Sequence, residues 1–120
     1  MNVHEVKVER DLIYEDVYNV TANAAVQRGD ALRVATDDNA EILDVFLDKG
    51  TVLVEMALGR YGKGLNYSMP DNWNFEDEIN RKVHRFLVDF VVASWMGLTT
   101  EVQLPVLDLM PILNKREKPI

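Results

Sequence analysis

The sequence predicts a mainly α-helical protein, a small three- or four-helix bundle with at most a short two-stranded β element and an extended C-terminal arm. Three separate segments repeat apolar residues every three or four positions, which is the period of a helix with one buried face. Short turn signals separate these segments, and short connections favour antiparallel neighbours. The chain has 120 residues, of which 48% are hydrophobic and 28% charged. One core under a solvated surface is therefore expected.

The N-terminal quarter of the chain predicts a strand followed by a helix. Residues 3–8 are rich in valine and partly alternating, as in a short strand. From Asp11 to Arg28 apolar residues recur at helical spacing and place one face inward. Gly29 supplies the positive φ that a helix end commonly needs, so we expect the helix to end there.

The clearest helix is predicted to follow Asp37. Asp38 is the expected N-cap, and Glu41 three residues later completes a capping box. Apolar residues then recur at helical spacing up to Tyr61, and the glycines at 62 and 64 are expected to end the helix. Gly50 costs about 1 kcal/mol relative to alanine inside a helix. It is either a point of close packing or a break between two shorter helices.

A loop is expected from residue 62 to residue 74, with residues 69–72 as its turn. The centre of this loop, residues 65–69, could form an extended strand. Residues 3–8 are the obvious partner for that strand, which would give a minimal sheet beside the helices.

The third helix is predicted to begin at Asn74 as N-cap, with three acidic residues at 76–78 in the first turn, where the helix dipole favours negative charge. One broad apolar face then runs to Trp95, and Gly97 ends the helix. Residues 86–93 are apolar nearly all round. This pattern predicts a central helix, or one whose second face meets another subunit.

The last segment contains Pro105 and Pro111, each of which removes a backbone donor. Residues 106–114 are therefore expected to form one or two short helical turns, followed by an extended basic tail. The predicted division is one helical domain over residues 1–113 and an arm over residues 114–120.

We expect the stretch from Pro111 to Ile120 to pack on another subunit instead of completing the core. Its local charge is +2, from Lys115, Arg116 and Lys118 against one glutamate, whereas residues 37–49 sum to −4. The beginning of the second helix in a neighbouring copy is thus a complementary docking surface. Ile112, Leu113 and Ile120 would contribute apolar area to that contact.

Composition excludes several classes of protein. The absence of cysteine rules out a disulfide scaffold, a thiolate zinc site and a cysteine nucleophile. The net charge of −7 disfavours a free-standing nucleic-acid binder. No apolar run approaches the roughly 18–20 residues of a membrane span, and the N-terminus lacks the order of a secretory signal.

No catalytic or metal-binding constellation stands out, and neither a metal nor a cofactor is expected. His4 and His84 are the only histidines and are interpreted as ordinary strand and exposed helix residues. Glu41, Asp44 and Asp48 share a helix face, but no calcium-loop pattern accompanies them, so a solvated face is favoured.

Two familiar motifs are also missing. The glycines of residues 59–64 lack the Gly-x-x-x-x-Gly-Lys-Ser/Thr order of a phosphate loop and follow a helix instead of a strand. They are interpreted as a helix C-cap and a turn. No Gly-x-Ser-x-Gly sequence is present, which excludes the usual serine-hydrolase arrangement.

The candidate site residues are therefore those of a subunit or partner interface, and all are aromatic, basic or apolar. Trp73 and Phe75 flank the third helix's beginning, where a core or staple role is favoured over that of an interface anchor. Arg81 and Arg85, next to Lys82, would pair with acidic protein surface more readily than with DNA. The complete set is Trp73, Phe75, Arg81, Arg85, Ile112, Leu113, Lys115, Arg116, Lys118 and Ile120.

One resemblance to a known family accompanies this pattern. The run Asp37-Asp38-x-x-Glu41-Ile42-Leu43-x-x-Phe46-Leu47, continuing to Leu58-x-Arg60-Tyr61, resembles the first long helix of phage head–tail connector (adaptor) proteins. A later aromatic-rich helix corresponds to residues 86–95, and the basic, proline-containing end at residues 116–119 is similar to a docking arm. The resemblance covers about residues 37–96 and consists of helices without a chemical motif.

This resemblance implies a non-enzymatic structural protein of the virion that forms a homo-oligomeric ring beneath the portal of a tailed phage or prophage. Its implied partners are the portal protein and tail or neck proteins, with DNA only as passing cargo and no membrane. The implied location is the neck of the virion, and the cytoplasm of the bacterial host during assembly. A small regulatory DNA-binding or antitoxin-like protein, using Arg81, Lys82, Arg85 and the tail, is the alternative.

Overall fold

The computed structural model of the chain describes residues 2–28 and 34–117. It is a mainly helical small domain, as predicted, with three main helices and a small antiparallel sheet of three strands. In chain order the elements are β1 (Asn2–Glu5), α1 (Arg10–Arg28), a 3-10 turn (Asp37–Asn39), α2 (Ala40–Leu58), a second 3-10 turn (Gly59–Tyr61), β2 (Gly62–Lys63), β3 (Asn66–Met69), α3 (Glu76–Met96), α4 (Met110–Leu113) and a final 3-10 turn (Asn114–Glu117).

The sheet confirms the predicted pairing of the N-terminal strand with the centre of the loop. β1 runs antiparallel to β3, with Val3 opposite Ser68, and the pairing continues as the Val6 N–H donates to the Leu65 carbonyl at 2.9 Å. β2 was not predicted, because two residues carry no alternating pattern. A two-residue turn joins it to β3, and Gly64 there has the positive φ of 61° that such hairpins favour.

α3 is the central helix that its apolar pattern predicts, and both α1 and α2 pack against it. Gly50 lies at a close approach of α2 and α3, since a Cβ there would lie 2.9 Å from Leu87 Cδ2 and 3.1 Å from Phe90 Cδ1. α2 continues unbroken through this glycine, so the close-packing interpretation is correct. The α3 side chains that enter the core are Ile79, Val83, Phe86, Leu87, Val88, Phe90, Val91 and Trp95.

The two predicted N-caps are wrong by one or two residues. A 3-10 turn precedes α2, and the Thr36 N–H donates to the Asn39 side-chain oxygen at 3.0 Å, so the reciprocal cap joins Thr36 and Asn39 instead of Asp38 and Glu41. In α3 the Ile79 N–H donates to the Phe75 carbonyl at 3.0 Å, which makes Phe75 the cap residue instead of Asn74. Several polar residues lie together at each helix start, and only the backbone geometry selects among them.

The C-terminal segment corrects part of the predicted arm. Ile112 and Leu113 are almost fully buried in the core, so the prediction that they pack on another subunit is wrong. α4 confirms the short helical turn predicted within residues 106–114, and Pro111 lies in its first turn, where a missing N–H costs no hydrogen bond.

The predicted extended tail is also wrong for residues 114–117, which form a 3-10 turn. The prediction for Lys118 and Ile120 lies outside the described residues. The division into a domain over residues 1–113 and an arm over residues 114–120 stays a prediction.

The described chain is elongated, with extents of 52 × 24 × 21 Å. Among residues 2–28 and 34–117, no helix combines the length and the apolar character that a membrane crossing requires.

Candidate functional site

α2 carries an exposed apolar stripe beside its buried face. The stripe spans about 100° of the helix circumference, and one basic residue, Lys49, lies within it. Met56 is the most exposed of its side chains at 70%. The stripe consists of Ile42, Val45, Val52, Leu53 and Met56.

A second exposed apolar set lies between α3 and α4. Residues 101–109 form neither helix nor strand, and Val102, Leu104 and Val106 point away from the core, with Val106 90% exposed. A groove of about 290 Å³ joins this segment to the stripe, because Val106 lines it together with Leu53 and Met56. The stripe and these three residues are called the apolar surface below.

The apolar surface is large for a chain of this size. Its eight side chains are between 36% and 90% exposed. Their exposed areas add to something on the order of 700 Å², whereas the largest single patch on a typical monomer is roughly 300–600 Å². A standard protein interface buries about 800 Å² on each partner. The apolar surface is therefore of the size that subunit contacts use.

The acidic face of α2 adjoins the stripe and is partly engaged within the chain. Glu41 and Asp48 are exposed, whereas Asp44 accepts hydrogen bonds from Arg10 Nε at 2.8 Å and from the Tyr14 hydroxyl at 2.5 Å. The Arg10 guanidinium, and after it the Tyr14 hydroxyl, hold the pKa of the Asp44 carboxyl below its usual value. Asp44 thus ties α2 to α1, a contact that the sequence pattern did not reveal.

Trp73 and Phe75 are brought together, but inside the protein. Their rings pack edge to face with centroids 5.3 Å apart, and Trp73 is only 5% exposed. Lys115 joins them, because its Nζ lies 4.6 Å from the Phe75 centroid and 3.5 Å from a carboxylate oxygen of Glu78. As surface anchors for another subunit, Trp73 and Phe75 are largely unavailable, which agrees with the favoured core or staple role.

The aromatic cluster around Trp73 extends into the sheet. His4 stacks on Tyr67 with centroids 5.3 Å apart and lies 5.8 Å from Trp73. Burial raises the pKa of Tyr67 to about 12, and the charge of Glu76 adds to this effect. Four buried polar atoms here have no hydrogen-bond partner among the described protein atoms, namely His4 Nε2, Tyr67 Oη, Trp73 Nε1 and Glu76 Oε2.

Arg81 and Arg85 are exposed on α3, as a basic interface requires, but acidic groups accompany them. Arg85 lines a groove with Asp16 and Asp89, and Arg81 lines another with Glu9. His84 lies between them and is 2.7 Å from Asp16 Oδ2 through its Nε2. This ion-pair geometry joins α3 to α1 and was invisible in the sequence, because the two residues are far apart in the chain.

The remaining predicted interface residues are either buried or not described. Ile112 and Leu113 are core residues, the side chain of Arg116 is not described, and Lys118 and Ile120 lie outside the described residues. Within residues 2–28 and 34–117 no group of three or more histidine or acidic side chains is arranged to hold a metal ion.

The sequence did hold a signal for the apolar surface. α2 has more apolar positions than one buried face accommodates, since Val45, Val52 and Met56 fall outside the core phase. Ile42 and Leu53 belong to the apolar residues that recur at helical spacing, and both lie at the exposed border of the buried face.

Comparisons with known proteins add no relative: no family model matches the chain, and neither a curated protein nor a solved structure does so.

Proposed function

We propose that this protein is a structural virion protein, an adaptor or connector ring that joins the portal of a tailed phage or prophage to its tail. The apolar surface is the observation that carries the proposal. Its estimated area is close to what one partner contributes to a standard interface. A protein whose role is to contact copies of itself and neighbouring proteins requires such a surface.

The position of the apolar surface supports the same function. α2 and α3 make up most of residues 37–96, the part of the chain that resembles head–tail connectors. α2 packs against α3 with one face and presents the stripe on another. One helix therefore holds the subunit together and offers a contact to the next subunit.

The charge of the chain is compatible with a ring around DNA. A net charge of −7 disfavours adhesion to the phosphate backbone, so DNA would pass through such a ring as cargo. The partners would be further copies of the chain, the portal protein and tail or neck proteins. The ring would occupy the neck of the virion after assembly in the cytoplasm of the host.

The test is assembly in solution, measured by light scattering after size exclusion and by electron microscopy, with the protein alone and mixed with a portal. We expect rings in at least one condition. A chain that stays monomeric at high concentration and binds no portal would contradict the proposal. Met56→Glu places a charge in the stripe and should abolish assembly, whereas the matched change Leu12→Glu, at a 50% exposed position of α1, should not.

Salt dependence separates this function from the DNA-binding alternative. Salt screens the mutual repulsion of copies that each carry −7, so assembly should strengthen as salt rises. DNA binding through Arg81, Lys82 and Arg85 would weaken steeply instead. A gel shift that disappears with added salt, without any assembly, would favour the alternative.

A further inference from the structure

Among residues 2–28 and 34–117, no strand pairs with the outer edge of β1. β1 is the outermost strand in the order β1-β3-β2. The hydrogen bond from Val6 to Leu65 sets the phase of the ladder, so Asn2 and His4 exchange backbone bonds with β3. The backbone groups of Val3 and Glu5 therefore point away from the sheet. Val3 also exposes 69% of its surface there.

The segment of residues 101–109 has the properties of an unpaired strand. Its backbone makes no turn or bend, and from Leu104 to Leu109 exposure alternates with period two, as in an extended chain. Residues 101–107 make no backbone–backbone hydrogen bond with any other described residue.

Pro105 determines which edge of this segment can pair. Proline has no N–H, so the edge formed by residues 103, 105 and 107 lacks a donor at its centre. The opposite edge carries the N–H groups of Val102, Leu104 and Val106, and all three donors are present. The same three residues also carry the exposed apolar side chains of the segment.

The first residues of the segment and the β1 edge lie near opposite ends of α3. The Lys7 N–H donates to the Asn80 side chain at 3.1 Å, so β1 lies near the beginning of α3. A Cβ on Gly97 would lie 3.2 Å from Val102, so the segment starts at the end of α3. The 21 residues of α3 separate the two by about 30 Å. Val102 and Leu104 can therefore reach a β1 edge only in another molecule.

We propose that residues 102–106 of one copy add to the β1 edge of a neighbouring copy as a fourth strand. This inference rests on the proposed assembly function and names its subunit contact. The occupant is a second copy because one chain offers both unpaired edges at matching length, four residues in β1 and five in the segment. A contact between two different surfaces repeats from copy to copy and closes as a ring if the rotation allows.

The area around the segment suits this contact. Val106 shares a groove with Leu53 and Met56, so a copy seated on the segment also covers the C-terminal half of the α2 stripe. Backbone pairing would supply direction, and the apolar surface would supply most of the buried area.

Chemical cross-linking tests the contact directly, because the chain has no cysteine of its own. A protein with Val3→Cys and Leu104→Cys, treated with a short bifunctional maleimide, should form a ladder of covalent dimers, trimers and higher multimers. Each single variant should form dimers at most. The matched pair of Leu12→Cys and Leu104→Cys should give no ladder. A ladder from this control, or none from the first pair under assembling conditions, would overturn the inference.

Proline substitution tests the pairing edge. Leu104→Pro removes a donor from the complete edge and should weaken assembly at least tenfold, whereas Gln103→Pro acts on the edge that Pro105 already interrupts and should change it less than threefold. Leu104→Ala measures the loss of the side chain alone, and the thermal midpoint checks that each variant folds. If rings form and Leu104→Pro assembles like the wild type, this inference fails while the proposed function stands. A wild-type chain that never assembles overturns both.

Discussion

Gly50→Ala should destabilise the protein even though alanine is the better helix former. A Cβ at this position would lie 2.9 Å from Leu87 Cδ2 and 3.1 Å from Phe90 Cδ1, well inside the roughly 3.5–4.0 Å of favourable carbon–carbon contact. Leu87 is fully buried and Phe90 only 4% exposed. Because protein interiors are close-packed, making room for this Cβ requires the Leu87 and Phe90 side chains to shift against their neighbours.

The sign of the effect depends on two opposing magnitudes. Alanine gains about 1 kcal/mol of helix propensity over glycine, whereas overpacking a well-packed core costs about 1–3 kcal/mol. The expected net loss is therefore up to about 2 kcal/mol. In urea, where the free energy of unfolding falls by about 1–3 kcal/mol per molar denaturant, a loss of about 2 kcal/mol would lower the midpoint by about 0.7–2 M.

The assay is urea unfolding followed by far-ultraviolet circular dichroism, at concentrations where wild type and variants are monomeric. Glu55 is an exposed position in the same helix, so the difference between Glu55→Ala and Glu55→Gly measures the propensity effect without any packing change. If Gly50→Ala is more stable than the wild type by that same difference, the close approach of α2 and α3 does not limit the site and the reasoning is refuted.

Four other perturbations have a defined direction. Leu113→Ala should lower the free energy of unfolding by about 2–5 kcal/mol because the Leu113 side chain is fully buried. Deletion of residues 114–120 should leave the thermal midpoint nearly unchanged. A truncation that unfolds the chain would show that these residues complete the core. Asp44→Asn should make stability less sensitive to acid. The lowered pKa of Asp44 stabilises the folded state above its unfolded pKa of 3.8, and this stabilisation is lost as the pH falls through the folded pKa. Identical acid-unfolding curves for the variant and the wild type would contradict this. Tyr14→Phe should reduce the loss of stability at alkaline pH. Burial, aided by Asp44, raises the pKa of Tyr14, and the resulting stabilisation is lost as the pH rises past the unfolded pKa of 10.0. Thermal midpoints of the variant and the wild type, measured on both sides of that pH, test this.

The three main helices and the pairing of β1 with β3 could be predicted because their signals are local. α3 has an apolar period, an acidic first turn and Gly97 immediately after its last residue, and all three agree. The caps were less predictable, since four consecutive polar residues from Thr36 to Asn39 are each able to cap a helix. The local sequence does not say which side chain meets which N–H.

The wrong prediction that Ile112 and Leu113 pack on another subunit has a similar cause. Pro111 suits the first turn of a helix and would interrupt its interior, so the local sequence indicates a short helix without fixing where it begins. The apolar side chains of Ile112 and Leu113 were available for either the core or a neighbour. Burial is a tertiary property, and the sequence around Pro111 contains no local sign of it.

The sequence showed that α2 has more apolar positions than one buried face needs, but it did not show where the buried face ends and the apolar surface begins. Ile42 and Leu53 share the helical period of the side chains that face α3. Only the position of α3 shows which part of the α2 circumference is covered. The His84–Asp16 and Tyr14–Asp44 contacts likewise join helices that are separate in sequence.

The exposed segment of residues 101–109 is held at both ends, which affects how fast it can bind. At one end the Thr100 N–H donates to the Met96 carbonyl at 3.0 Å, and at the other Leu109 is fully buried. Because the segment is anchored at both ends, docking would restrict it less than it would restrict a free tail, and less conformational entropy would be lost on contact. Encounters should then proceed at the roughly 10⁵–10⁷ M⁻¹s⁻¹ of preformed surfaces, so that growth from one subunit to the next depends on collision frequency and not on a folding step.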